Sequence, residues 1–226
     1  METIALGGLG QMLRADGLAA RALSNAVRAY SLSRVFANRT VLDIGCGTMP
    51  YRDLFTSRGA RYVGADIDGS PDILIGVGGA LPLADESADF VLSFQVLEHV
   101  RNVQTYLETA KRILKKGGGM FLSTHGVWPY HPHPTDYWRW TREGLSVTLE
   151  DAGFRIQRMA ALCGPAAWIS MFPLLACKKA LGPAWPVLAP LNLGINLLAS
   201  AMDVATPSAI RDTNAAIFVA ELSKGT

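Results

Sequence analysis

VLDIGCGTMPY, residues 41–51, decides how the rest of the chain is read. Val41-Leu42-Asp43-Ile44 is a short apolar strand running straight into a glycine turn, and a helix is expected from about Tyr51. Gly45 and Gly47 allow a tight turn and let a ligand approach bare backbone. A GxG pair alone is a weak signal, because any sharp strand-to-helix turn can use one. Here it has context: Arg61–Asp66 (RYVGAD) reads as the next strand, and Asp66 closes it 21 residues beyond Gly45. An acid there can accept hydrogen bonds from both ribose hydroxyls of a nucleoside cofactor.

The same alternation continues on either side. Residues 17–36 read as a helix, with Leu23, Val27, Tyr30 and Val35 near helical spacing. Asp72–Ile75 and Ala88–Phe94 read as the third and fourth strands. Val103–Leu114 is predicted as a helix with Val103, Leu107, Ala110 and Leu114 on one face, stopped by Gly117-Gly118-Gly119. Met120–Ser123 is predicted as the fifth strand, followed by a loop from His125 to Thr141. Thr141 then caps a helix over Arg142–Ala152, closed by Gly153. Phe154–Ala161 and Ala215–Glu221 are the last two strands. Strands alternating with helices imply a parallel sheet covered on both faces, with ligands bound at the carboxyl ends of its strands near a topological switch point.

At 226 residues the chain is expected to form one domain: an N-terminal helical segment (1–37), a cofactor-binding core (38–160), an apolar helical insert (161–206) and a last strand (207–226). It is 50% hydrophobic and 18% charged, with a net charge of +2. That balance argues against holding nucleic acid by bulk charge. Cys46, Cys163 and Cys177 are an odd set without metal-ligand spacing, which points to a reducing compartment. The N-terminus lacks the basic and continuous apolar regions of a secretory signal, so the expected location is cytoplasmic. The charge deficit is concentrated: between Arg158 and Asp203 the only charges are Lys178 and Lys179. Pro165, Pro173, Pro183, Pro186 and Pro190 interrupt this apolar stretch, which favours a buried or interfacial insert over a membrane span. Three roles are open to it: a lid over an acceptor pocket, a homodimer surface, or a peripheral membrane contact.

Two features discriminate among nucleoside cofactors. A dinucleotide site wants a third glycine at position 50, where this chain has Pro50. Asp43, two residues ahead of Gly45, suits a cofactor that carries an ammonium group rather than a diphosphate. VLDIGCGTMPY (41–51), YVGADID (62–68), LPLADESADFVLSFQVLEHV (81–100), RILKKGGGMFLST (112–124) and HPTDYWRWTREGL (133–145) together resemble the class I S-adenosylmethionine-dependent methyltransferases, specifically the type 11 group. The resemblance covers roughly residues 38 to 160 and implies a Rossmann-like, doubly wound α/β sheet of seven strands, mostly parallel with the last antiparallel. It further implies S-adenosyl-L-methionine as cofactor, with Asp43, Gly45, Cys46 and Gly47 around its methionyl part. Asp66 would hold the ribose and Ile67 the adenine face. Ala80 and Leu81 lie in the segment that offers adenine backbone contacts, although the Asp that relatives carry shortly before is replaced by Val77-Gly78-Gly79. Phe94 and Gln95 would border the methyl-donor end.

Methyl transfer from a sulfonium needs positioning above all, and an oxygen or nitrogen acceptor can also need a base. Three of the four histidines, His125, His131 and His133, fall in the aromatic loop at the ligand end of the sheet, and His125 is the first candidate base. Trp128, Tyr130, Tyr137 and Trp138 are candidate acceptor contacts. A plainer reading has these aromatics packing under the insert and Asp136 pairing with an arginine. Glu98 and His99 match part of a metal-ligand set known in quinone-biosynthetic relatives, but Gln95 replaces the first ligand. No metal is therefore expected, and His99 is expected to cap or pack at the start of its helix. The reading is O-methylation of a small phenolic, polyketide, quinone-like or sugar acceptor. Two alternatives are an NAD-dependent oxidoreductase and a non-catalytic adenosylmethionine-binding protein that interacts through its apolar insert. Nucleic acid is not an expected partner: no asparagine-proline-proline-aromatic motif follows the fourth strand.

Overall fold

The computed structural model describes residues 12–76, 79–132 and 134–225. Their strands form one mixed sheet: β1 (Thr40–Ile44), β2 (Arg61–Asp66), β3 (Ile73–Leu74), β4 (Ala88–Phe94), β5 (Leu114–His125), β6 (Phe154–Leu162) and β7 (Ile217–Lys224). The order is β3-β2-β1-β4-β5-β7-β6. β1 through β5 pair in parallel, and β7 lies antiparallel between β5 and β6. The Rossmann-like class read from the sequence is the class observed.

The order of the strands sets where a ligand can sit. The chain winds outward from β1 through β2 to β3, then crosses back to place β4 on the other side of β1. Neighbouring crossovers leave in opposite directions there, which opens a crevice at the carboxyl ends of β1 and β4. Val41, Leu42, Asp43 and Ile44 are all buried, as expected of a central strand covered on both faces. At the far side His125 pairs with Ile217, and Leu162 pairs with the same residue. The ends of β5 and β6 therefore lie at the ligand end of the sheet.

Two hydrophobic layers enclose the sheet. On one face α1 (Gly17–Ser33) presents Leu23, Val27 and Tyr30 to the strands, with the Tyr30 ring stacked on Phe121 at 4.3 Å. Val35 lies past the end of α1 and is exposed, so it does not belong to that face. The short α2 (Arg52–Thr56) completes this layer with Leu54 and Phe55. On the other face α3 (Val103–Ile113) and α4 (Arg142–Asp151) bury Leu107, Ile113, Leu145 and Leu149. Thr141 caps α4 by accepting from the Gly144 amide at 3.0 Å, and Gly153 follows it with a φ of +79°. Asn102, unmarked in the sequence reading, caps α3 through the Thr105 amide.

The glycine run behaves differently from expectation. Leu114 leaves α3 in extended geometry and bridges Ala88 at the start of β5. The register then slips, so that Phe90 pairs with Gly119 while Gly117 sits at a φ of +74°. Gly117–Gly119 thus form an irregularity within β5 instead of a helix stop. β5 also runs on to His125, which makes that residue the end of a strand and not the start of a loop.

After β6 come α5 (Pro165–Leu181), a 3-10 segment (Gly182–Leu188), α6 (Ala189–Ala205) and the short α7 (Ser208–Thr213). Ala167 clusters with Ala199, and Leu174 with Ile195, so α5 and α6 pack as an antiparallel hairpin. Its base is pinned by buried Asp203, whose carboxylate accepts from the amides of Gly164 (2.7 Å), Ala166 (2.9 Å) and Ala167 (3.3 Å). A side chain of α6 therefore supplies the acceptors that the first turn of α5 lacks.

Candidate active site

The turn after β1 is built for close approach. The amides of Gly45 and Cys46 both donate to the Ala65 carbonyl, at 2.7 and 3.2 Å, which folds the turn onto the end of β2. Gly45 has a φ of +77°, and a Cβ there would collide with the Val96 side chain. Gly47, at φ +52°, would meet nothing within 4 Å. One glycine is required by packing, while the other faces open space. Cys46 turns its side chain inward beneath Gly64, and burial followed by the charges of Asp43 and Asp66 pushes its thiol up to about 12. It stays a protonated thiol, and only its backbone can face a ligand.

Asp43 is buried at the end of β1 and accepts a hydrogen bond from the Tyr62 hydroxyl. Its other oxygen, Oδ1, has no partner. Desolvation, offset in part by Tyr62 and reinforced by Asp66, raises this carboxyl to about 7. An orphaned buried carboxylate oxygen is costly and calls for a donor or cation. Asp66 closes β2 with Oδ2 accepting from Gly47 N and Oδ1 from Ile67 N, both at 2.7 Å. Beside it Ile67 is 51% exposed, an apolar side chain open at the ligand end of the sheet. Ala80 is exposed, whereas Leu81 is a core residue, leaving its backbone as the part available to a ligand.

Beyond β4 the chain turns sharply. Gln95 adopts a φ of +57°, a conformation uncommon for a residue with a side chain. It is held by its amide to the Ser123 carbonyl (2.9 Å) and by Nε2 to Ser123 Oγ (2.8 Å). The Phe94 ring packs edge-on against Tyr51 and Phe121.

The turn at Gln95 delivers a 3-10 segment, Leu97–His99, in which Glu98 is fully buried. Glu98 Oε2 accepts from Thr124 Oγ1 at 2.9 Å, and Oε1 lies 3.0 Å from His125 Nδ1. Burial works against the Glu98 charge, but His125, the Glu98 amide and Thr124 together hold its carboxyl below the ordinary range. The His125 ring is buried and stacks on Trp128, with centroids 4.4 Å apart and planes 9° apart. His131 stands edge-on to His125 at 6.1 Å and lies 5.7 Å from His99. Among the described residues the structure thus gathers His99, His125 and His131. His99 caps no helix: it ends the 3-10 segment, and its Nδ1 lies 2.6 Å from the Thr135 carbonyl. His133 lies outside the described residues.

The loop from Gly126 to Trp140 is fixed by polar contacts. Arg139 grips both oxygens of Asp136 and donates to the carbonyls of Trp128 (3.0 Å) and Pro129 (2.7 Å). Desolvation opposes ionisation of Asp136, yet Arg139 and the His131 amide keep its carboxyl low. The Tyr137 and Trp138 amides donate to the Glu98 carbonyl, so loop and 3-10 segment hold each other. Of the aromatic candidates, only Trp128 meets His125. It also borders a cluster that includes Trp168 and Phe172 of α5. Tyr130, Tyr137 and Trp138 are 77%, 45% and 42% exposed, and the Trp138 indole donates to the Val100 carbonyl.

A family model described as a methyltransferase domain matches residues 16–159. The chain belongs to this family. The match spans the glycine turn, Asp66, Glu98 and the His125 loop. A probable S-adenosylmethionine-dependent methyltransferase of Mycolicibacterium smegmatis is 30% identical over 138 residues, which are 54% of each chain. The chain spans about half the length of the curated relatives it matches. Among solved structures, a Haemonchus contortus phosphoethanolamine N-methyltransferase in complex with S-adenosyl-L-methionine superposes with a TM-score of 0.56. It is 15% identical, covering 89% of this chain and 53% of its own. The cyclase SpnF superposes at 0.58, with 16% identity and coverage of 90% and 81%. These two likenesses concern the fold alone, and the cyclase shows that the fold admits chemistry other than methyl transfer.

Glu98 is the residue whose role the sequence reading missed. The sequence offers it only as a metal ligand, whereas its carboxylate faces the candidate base 27 positions away. No local signal in Leu97-Glu98-His99-Val100 marks this contact, because only the fold brings Glu98 to His125.

Proposed function

We propose that this methyltransferase domain transfers the methyl group of S-adenosyl-L-methionine to a hydroxyl of a small acceptor, with His125 as general base. The observation that carries the reading is the Glu98–His125 pair at the carboxyl end of β5, beside the turn that meets the cofactor. The residues of the crevice fit that cofactor. Asp43 Oδ1 lacks a partner and suits an ammonium, Gly47 leaves the approach open, Asp66 suits ribose hydroxyls, and Ile67 offers an apolar face. When bound, the cofactor supplies a methyl group on a sulfonium, which is electrophile and leaving group together.

The chain's own residues do the remaining work. Glu98 Oε1 lies 3.0 Å from Nδ1 without hydrogen-bond alignment, so a small rotation of either group would place the His125 proton on Nδ1 and leave Nε2 as the basic nitrogen. Nε2 takes the acceptor's proton as its oxygen becomes nucleophilic, and Glu98 compensates the imidazolium charge. Trp128 fixes the ring plane and Thr124 fixes Glu98. His131, 6.1 Å from His125, is the second candidate base; His133, outside the described residues, remains a candidate from the sequence alone. A phenol, polyketide, quinone-like ring or sugar each suits an aromatic surround such as His125 and Trp128 offer. Three free cysteines accord with a cytoplasmic setting.

The test supplies methyl-tritiated cofactor with a panel of phenolic, polyketide and sugar acceptors. Labelled methyl ether should form with the natural protein, and His125→Ala should lower turnover roughly 10²–10⁴-fold while calorimetric cofactor affinity holds. Full turnover by the variant removes His125 as the base.

A further inference from the structure

Helix α6 is inside out. The residues it buries are Asn192, Asn196, Ala199 and Asp203, a stripe at helical spacing that is mostly polar. Each polar member has a job. Asn192 Nδ2 donates to the Leu13 carbonyl at 2.7 Å, and Asn196 Nδ2 to the carbonyls of Met12 (2.8 Å) and Arg14 (3.1 Å). Asp203 caps α5. These bonds fix the rotation of the helix, so its apolar residues cannot turn inward. Leu191, Leu198 and Met202 form one exposed flank, Leu197 and Val204 another, and each of the five is 54–79% exposed. Gly194 and Ala201 lie between the flanks, also exposed. The apolar surface therefore wraps around the helix instead of forming one flat patch. Ile169 on α5 and Val187 in the 3-10 segment, 58% and 79% exposed, extend it along the hairpin.

We propose that the α5–α6 hairpin seats the protein on an anionic bilayer, embedded in the interface without crossing it. Three observations select a bilayer over a second copy of the chain. Exposed apolar side chains lie on more than one side of α6, which a fluid layer can wrap and a two-fold interface covers on one side only. The sole charges between residues 159 and 202 are Lys178 and Lys179, with no acid among them. They complement anionic headgroups, whereas the nearby acid that a second copy would bring, Asp16, is already paired with Arg14. Both lysines sit in the last turn of α5, where long aliphatic stems let the ammonium groups reach the headgroup level.

Interfacial seating, not spanning, follows from the geometry. Pro165–Ala205 is long and apolar enough to cross a membrane by composition. It is, however, two helices of 17 residues each, about 25 Å long, against a hydrocarbon core of roughly 30 Å. One side of each is committed to the protein. Pro173 removes an amide within α5, and the carbonyl left without a donor needs water or headgroups.

The experiment is flotation of the full chain with vesicles of mixed phosphatidylglycerol and phosphatidylcholine, and with phosphatidylcholine alone. Partition should be strongest on the anionic vesicles. Lys178→Gln with Lys179→Gln should weaken it about 25-fold there, near fivefold per lysine, and have little effect on neutral vesicles. Leu191→Ser with Leu198→Ser should weaken partition at least tenfold on both. These side chains are exposed, so unchanged circular dichroism is expected of all variants. Absence of partition by the natural protein overturns the proposal, as does equal partition by the leucine variant. A concentration-dependent dimer in ultracentrifugation, dispersed by the leucine substitutions and without vesicle binding, makes a second copy the occupant and overturns it too.

Discussion

Asp43→Asn should change how cofactor binding responds to pH. Burial raises the Asp43 carboxyl to about 7, so without ligand its charge state changes in the neutral range. The sign for folding follows directly. A raised native pKa favours the folded state at low pH, and this contribution fades as pH climbs through 7. Cofactor binding runs the other way, because an ammonium beside Oδ1 favours the ionised form. If only ionised Asp43 accepts the cofactor, affinity should rise about 25-fold between pH 5.5 and 7.5, from the protonated fraction of a group with pKa near 7. That interval lies below the ordinary titration of an α-amino group, and other titrating groups remain in the variant as a shared background. Isothermal titration of S-adenosylmethionine at pH 5.5, 6.5 and 7.5 supplies the measurement. The natural protein should show the steep rise, and Asp43→Asn should be weaker at pH 7.5 and nearly flat. Equal pH slopes in the two proteins would refute the reasoning that links the orphan oxygen to the ammonium.

Other outcomes follow from the same geometry. Gly45→Ala places a Cβ against Val96 at a left-handed φ and should cost about 2–4 kcal/mol of stability in urea unfolding. Gly47→Ala, with open space around its Cβ but a left-handed φ of +52°, should cost about 1–2 kcal/mol and act mainly on cofactor affinity. Asp203→Ala strips the start of α5 of its acceptors and should destabilise the protein by about 2 kcal/mol, read as a lower thermal midpoint. Glu98→Gln should lower turnover and alter the pH–rate profile while leaving cofactor affinity intact; an unchanged profile would leave Glu98 with a structural role alone.

The sheet could be read from the chain because its signals are local. Apolar runs, glycine turns and the spacing from Gly45 to Asp66 each lie within one strand-turn-strand unit. Thr141 and Gly153 likewise announce α4 from both ends. Contacts between segments distant in sequence were harder to see. Tyr62 meets Asp43 through strand register, and Glu98 meets His125 where the 3-10 segment packs on the end of β5, and no spacing rule displays either. Gly117–Gly119 misled because the same residues that stop a helix also permit an irregular strand. The apolar excess after Arg158 was plain, but its orientation was not. Only the bonds from Asn192, Asn196 and Asp203 show that the polar stripe of α6 faces the protein and leaves the leucines outside.

The carboxyl ends of β1, β2 and β4, with the Gly45–Gly47 turn and Asp66 side by side, are the proposed seat for S-adenosylmethionine. Calorimetric titration of the full chain and of Asp66→Ala tests it most directly. Stoichiometric binding by the natural protein, weakened at least tenfold in a variant whose circular dichroism is unchanged, is the predicted result. No binding by the natural protein, or the same affinity in both, would contradict it.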